Sequence, residues 1–214
     1  RGAAGPVFGW AGKGNPMKKL PLRFYRQPCL ELAPALLGKL LVRSYAGNRL
    51  VCRITETEAY LGVSDRACHT FGGRRTQRTE AMYGPPGHAY VYLIYGMYDC
   101  LNVVAEKEGN PCAVLIRAAE PVAGWDEMAQ LRYRRPWGEL TRSQQRHLAD
   151  GPGKLCRAMG ITREQNGLSL TGRELYLAEE AGAPLPDFET APRVNVDYAG
   201  EDALRPWRFL LKRI

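Results

Sequence analysis

Two strand-like runs, each folded back on itself by a turn, constrain this chain more than any other feature. Residues 39–45 and 50–60 flank Ala46-Gly47-Asn48, and residues 88–94 and 98–105 flank Tyr95-Gly96-Met97. On a strand alternate side chains share a face, so each hairpin buries one side and offers the other. Further strand patterns stand at 113–118, 174–179, 193–198 and 207–212. Helical patterns fall between them at 29–38, 124–134 and 155–159, the first closed by Gly38. Shorter helical turns are expected after Ser64, as their cap, and over 75–83 before the break Gly84-Pro85-Pro86-Gly87. Thr162-Arg163-Glu164-Gln165 has the form of a capping box. The mixture predicts an α+β fold in a single domain, with a largely antiparallel sheet.

A chain of 214 residues that is 45% hydrophobic can bury a proper core and is too apolar to be disordered. Residues 1–16 are rich in Gly and Ala and lack periodicity, so they read as an N-terminal extension ahead of Met17, with the domain over 17–214. The net charge of +8 points to a polyanionic partner, either nucleic acid or an acidic membrane surface. No apolar run approaches the length of a membrane span. The six cysteines include no CxxC pair and sit mostly in apolar segments, which suits reduced thiols in an intracellular protein. His69, His88 and His147 make no zinc-type spacing with them, and no metal site is expected.

Chemistry gathers between residues 53 and 104. Glu56, Glu58 and Tyr60 share one face of their strand. Glu56 reads as a solvated carboxylate, whereas Glu58, beside the strand's end and the break at Gly62, is placed to line a cleft. A sugar-cleaving dyad needs carboxylates on opposite sides of the bond, and these two project side by side. One carboxylate activating one water suffices where the leaving group is already good.

The second hairpin carries Tyr90, Tyr92, Tyr95 and Tyr98, of which Tyr90 and Tyr98 read as core residues. Its tip, Ile94-Tyr95-Gly96-Met97, puts bulky apolar groups where Asn, Asp or Gly is the rule. Proteins that bend DNA or extract a base insert such wedges into the stack. Arg74, Arg75 and Arg78, with Lys154 at the glycine-rich opening of the 155–159 helix, are candidate phosphate contacts. Tyr60, His69 and Tyr92 are candidate walls for a flat ring, held by stacking and, if positive, by cation–π attraction. The basic segment 132–146 reads as a solvated surface.

Together these residues resemble the alkyladenine (3-methyladenine) DNA glycosylases. The likeness rests on Glu56-Thr57-Glu58-Ala59-Tyr60-Leu61-Gly62, on His69 followed by Gly72-Gly73-Arg74, on Tyr90-Val91-Tyr92 and on Ile94-Tyr95-Gly96-Met97-Tyr98. It continues through Cys100-Leu101-Asn102, Leu115-Ile116-Arg117-Ala118, Gly151-Pro152, Lys154-Leu155-Cys156 and Arg193-Val194, in order from about Pro28 onward.

The resemblance implies a compact enzyme with a curved sheet flanked by helices and a protruding hairpin. It would flip a damaged purine out of double-stranded DNA and hydrolyse the N-glycosidic bond, as a monomer and without a cofactor. It implies Glu58 as the base that deprotonates the attacking water, with Arg117 helping to hold that water. Tyr60, His69 and Tyr92 would enclose the flipped base, and Asn102 would clash with the amino group of normal guanine. Tyr95 would fill the vacated stack with Met97 in support. The implied lesions are 3-methyladenine, 7-methylguanine, hypoxanthine and ethenoadenine, the neutral ones needing an acid that the sequence does not name. Segments 106–110 and 132–150 depart from the mammalian members, and the short N-terminal arm is closer to bacterial ones. Two other readings stand beside this one. A structure-selective DNA-binding module would keep Tyr95 and the basic residues without using Glu58; a carbohydrate hydrolase would use Glu56 with Glu58.

Overall fold

The computed structural model describes residues 17–183 and 186–212; the expected N-terminal extension lies outside the described residues. In chain order come β1 (Met17–Lys19), α1 (Leu22–Tyr25), α2 (Cys29–Ala35), β2 (Leu40–Tyr45) and β3 (Asn48–Tyr60). Then follow β4 (Ala89–Ile94), β5 (Tyr98–Val104), β6 (Ala113–Ala123), α3 (Trp125–Tyr133), α4 (Arg142–Arg146) and α5 (Pro152–Ala158). The chain closes with β7 (Leu175–Glu180), β8 (Phe188–Ala191) and β9 (Arg208–Leu211). The strands form one open antiparallel sheet in the order β1-β7-β2-β3-β6-β5-β4, with β9 and then β8 branching from β3. The α+β expectation holds.

β3 is the spine. It pairs with β6 along most of its length; on its other edge its first half takes β2, and Glu56–Glu58 takes β9. Register shifts against β6 fall at Val51/Cys52 and again between Ile54 and Thr57, the latter where the strand changes partner. Such irregularities bend a strand and re-aim its side chains.

The main core is built from α2, α5 and the sheet, with Leu32, Leu36, Leu41, Leu101, Leu155 and Met159 all buried. α5 rides directly against the second hairpin. A Cβ on Gly153 would stand 2.7 Å from the Cβ of Tyr98, so only glycine permits this approach. All six cysteines are buried and unpaired. Among the described residues no helix is long and apolar enough to cross a membrane.

Both hairpins, α3 and the box at Thr162 form where their patterns predict. Three short segments do not. Ser64 ends a 3-10 turn rather than capping a helix, because Asp65 does the local capping and accepts the N–H groups of Leu61 and Ala67 at 3.0 Å each. Only Glu80–Tyr83 of the 75–83 segment is helical, as 3-10. Residues 193–198 are not a strand, since Asn195 turns the chain with a φ of 59° before a 3-10 stretch at Asp197–Leu204.

Candidate active site

Strand register assembles the site. Glu58 on β3 opposes Leu115 on β6, Leu115 opposes Asn102 on β5, and Asn102 opposes Tyr90 on β4. Directly opposed residues share a face, so these four make one row across the sheet. Tyr60, Arg117 and Tyr92 each stand two residues from a member of the row and extend it. All seven line a cavity of about 670 Å³, closed elsewhere by His69, by Val194 and by the opening of α5.

Glu58 is completely buried. One carboxylate oxygen accepts the Tyr60 hydroxyl at 2.7 Å, and the other accepts the Val194 N–H at 2.8 Å. Arg117 Nη1 lies 3.6 Å from the second oxygen. Burial pushes the carboxyl above its usual range, while Arg117, the Tyr60 hydroxyl and the Val194 N–H pull it back. Glu56 is not the solvated carboxylate the sequence suggested. It accepts both Arg117 Nε and Arg208 Nη1 at 3.0 Å and so clamps Arg117 beside Glu58.

Behind Tyr60 lies a device that the sequence did not flag. The Arg193 guanidinium sits 4.8 Å from the Tyr60 ring centre and 4.9 Å from that of Trp207. It donates to both oxygens of Asp65, at 2.5 and 2.8 Å, and to the Ala59 carbonyl at 2.9 Å. The Asp65 and Arg193 side chains are both fully buried. Arg193 also fixes the position of the next residue, whose N–H reaches Glu58. The motif Arg193-Val194 was visible, but nothing local marks an arginine as buried.

On the far wall, His69 meets Tyr92 edge-on with ring centres 4.6 Å apart, and its Nδ1 lies 3.0 Å from the Tyr90 hydroxyl. Burial, aided by the charges of Arg78 and Arg74, lowers the His69 pKa to about 4, so the ring is neutral at pH 7. Tyr90 stacks on Tyr92 at 5.4 Å and is therefore both core and wall. Tyr98, read as a core residue, is instead 40% exposed and lines the cavity, standing at the last strand pair before the hairpin tip. The Asn102 amide nitrogen donates to the carbonyl of Tyr90 at 3.1 Å.

Tyr95 and Met97 stand at the tip, 69% and 66% exposed. Tyr95 and Gly96 hold φ of 53° and 67°, and the Met97 N–H closes the turn onto Ile94 O at 3.1 Å. A left-handed conformation in a residue with a Cβ costs roughly 1–2 kcal/mol.

The four candidate phosphate contacts do not form one patch of available charge. Arg75 is held by Glu80 through two bonds, and Lys154 by Asp150 at 2.9 Å. Arg78 lies over the Tyr92 ring at 5.2 Å, and Arg74 is exposed without an ion-pair partner among the described residues. Segment 132–146 is not wholly a solvated surface, since Arg132 and Tyr133 line the cavity.

A buried carboxylate, its arginine neighbour and a set of aromatic side chains thus gather around one cavity. Comparison with known proteins narrows this. The family described as Methylpurine-DNA glycosylase (MPG) matches residues 23–213. Proteins from Desulfitobacterium hafniense and Alkaliphilus oremlandii are each 50% identical, over 196 and 194 residues, covering 92% and 91% of this chain and 96% of each relative. One from Methanocella arvoryzae is 53% identical over 195 residues, 90% of this chain and 92% of that protein. All three carry the name "Putative 3-methyladenine DNA glycosylase". The chain belongs to the methylpurine-DNA glycosylase family. It is a DNA glycosylase.

Proposed function

We propose that this protein removes alkylated and deaminated purines (3-methyladenine, 7-methylguanine, hypoxanthine and ethenoadenine) from double-stranded DNA as an intracellular monomer, leaving an abasic site. The observation that carries this reading is the burial of Glu58 at the floor of an aromatic cavity of base-accommodating size. Each Glu58 oxygen accepts one hydrogen bond from a neutral donor and retains a second lone pair, which can receive the proton of a water. A carboxyl raised by burial is a stronger base than a free one, nearer the pH at which it must work.

In the proposed reaction Arg117, held by Glu56, helps to position the water. The water oxygen bonds to the sugar C1′, its proton passes to Glu58, and the glycosidic electron pair leaves with the purine. A purine alkylated at N3 or N7 is cationic and departs neutral, so it needs no acid. Tyr60, His69 and Tyr92 hold the base between them, and Asn102 excludes the amino group of normal guanine by bulk. Tyr95, with Met97, fills the vacated stack. Arg74, Arg75, Arg78 and Lys154 serve the phosphates, Arg75 and Lys154 by exchanging a carboxylate partner for a phosphate. A DNA-binding module that did not cut would gain nothing from an ionisable group buried at this cost.

The test is base release from a duplex carrying one hypoxanthine or 3-methyladenine, read as an abasic site. Wild type should release the base; Glu58→Gln should lower the rate by roughly 10²- to 10⁴-fold while retaining lesion binding. Activity of the variant within a few-fold of wild type removes Glu58 from the base role. Tight lesion binding by wild type without release would leave the binding module standing.

A further inference from the structure

Arg78 occupies a place that a phosphate contact does not require. Its guanidinium carbon lies 5.2 Å from the centre of the Tyr92 ring, and its Nη2 donates to the Leu93 carbonyl at 3.3 Å. Tyr92 lines the cavity and Arg78 does not. The cation therefore stands against Tyr92 from outside the cavity lining.

We propose that Arg78 is a specificity-determining residue whose guanidinium, stacked behind Tyr92, weakens the pocket's hold on positively charged purines relative to neutral ones. The inference rests on the glycosylase reading above and adds to it a bias in lesion class. Two physical effects run in the same direction. An aromatic face attracts a cation through its electron density, and a cation already on one face draws that density toward itself. The same charge also repels a cationic base across the thickness of one ring. A neutral base such as ethenoadenine meets only the stacking surface and is spared both.

The surrounding groups respond in the same sense. His69, which meets Tyr92 edge-on, is kept neutral chiefly by burial and then by Arg78 and Arg74. The other ionisable neighbours of this wall are the hydroxyls of Tyr90 and Tyr92, both raised by burial, and Cys100, raised likewise. At the opposite side of the cavity Glu58 supplies a negative charge and Arg117 a positive one. Among the described residues Arg78 is the only cation with a ring contact to Tyr92.

The experiment measures equilibrium binding of matched duplexes carrying 7-methylguanine or ethenoadenine to Glu58→Gln alone and combined with Arg78→Gln or Arg78→Lys, beside release of each base by wild type. The ratio of cationic-lesion to neutral-lesion affinity should rise roughly three- to tenfold when Arg78→Gln is added, with Arg78→Lys between the two. A residue that only touched phosphate would weaken both lesions alike and lower the salt slope of binding by about one; an unchanged affinity ratio overturns the proposal. A second readout needs no base release. The His69 imidazole, followed by NMR, should titrate at higher pH in Arg78→Gln than in wild type, where Arg78 adds to the lowering by burial, and an unmoved midpoint overturns the placement of Arg78. Failure of wild type to release either base sinks the enzymatic reading, while the titration still decides where Arg78 sits.

Discussion

Removing the carboxylate of Asp65 would strand a buried cation, which makes Asp65→Ala the sharpest test of how the site is held. Arg193 would lose both charge-assisted bonds, and its remaining hydrogen-bond acceptors would be the carbonyls of Ala59 and Asp202. The N–H groups of Leu61 and Ala67 would lose their acceptor as well. Breaking one partner of a buried pair costs about 3–5 kcal/mol, because the other charge is left unpaired. In a domain of this size that is a fall in melting temperature of roughly 6–20 °C. Thermal and urea denaturation would be run beside Glu80→Ala, which opens the exposed Arg75 pair and should leave the midpoint unmoved. Asp65→Ala with Arg193→Met replaces the pair by apolar groups and should recover much of the loss. A loss under about 1 kcal/mol for Asp65→Ala would refute the reasoning, since Arg193 would then be reaching water or another anion, and no recovery in the double variant would refute it by placing the loss on the orphaned N–H groups of Leu61 and Ala67 instead.

Three further outcomes follow from the site. In the proposed reaction Glu58 acts in its ionised form, and its carboxyl is raised by burial, so the rate should fall on acidification along a limb above the ordinary glutamate range; Tyr60→Phe removes a bond that favours the charged form and should move that limb to still higher pH, a stationary limb counting against the assignment. The same raised carboxyl holds its proton in the folded state to higher pH than in the unfolded chain, so stability declines as pH rises from about 4.5 to the folded value. Glu58→Gln should therefore melt no lower than wild type at pH 7, and a clear drop would contradict this. Tyr95→Asn puts a residue that tolerates positive φ at the tip, and should stabilise the protein by up to about 1 kcal/mol while weakening discrimination between lesion and normal DNA; unchanged discrimination would refute the wedge.

Much of the scaffold could be read from the chain because it depends on neighbours in sequence. The alternation in 50–60 and 88–105, the turn at Ala46-Gly47 and the box at Thr162 are local, and each forms as expected. Glu58 was legible as a cleft residue from its place near the strand's end, beside Tyr60 and the glycine break, and it lines the cavity. The strand expected at 193–198 failed because Arg193 and Val194 are held by Asp65 and Glu58, and Asn195 turns instead of extending.

By itself the sequence determined the antiparallel hairpins, which residues share a strand face, and the likeness that ties Glu58, Tyr60 and Tyr95 to one family. Tertiary structure alone decided which charges are spent on one another. Glu56 finds Arg208 152 positions away, Asp65 finds Arg193 128 positions away, and Arg78 lands on a ring rather than in solvent. The physical reason is that side-chain alternation acts over two residues along a strand, whereas an ion pair is set by a few ångströms between strands that only the folded sheet brings together.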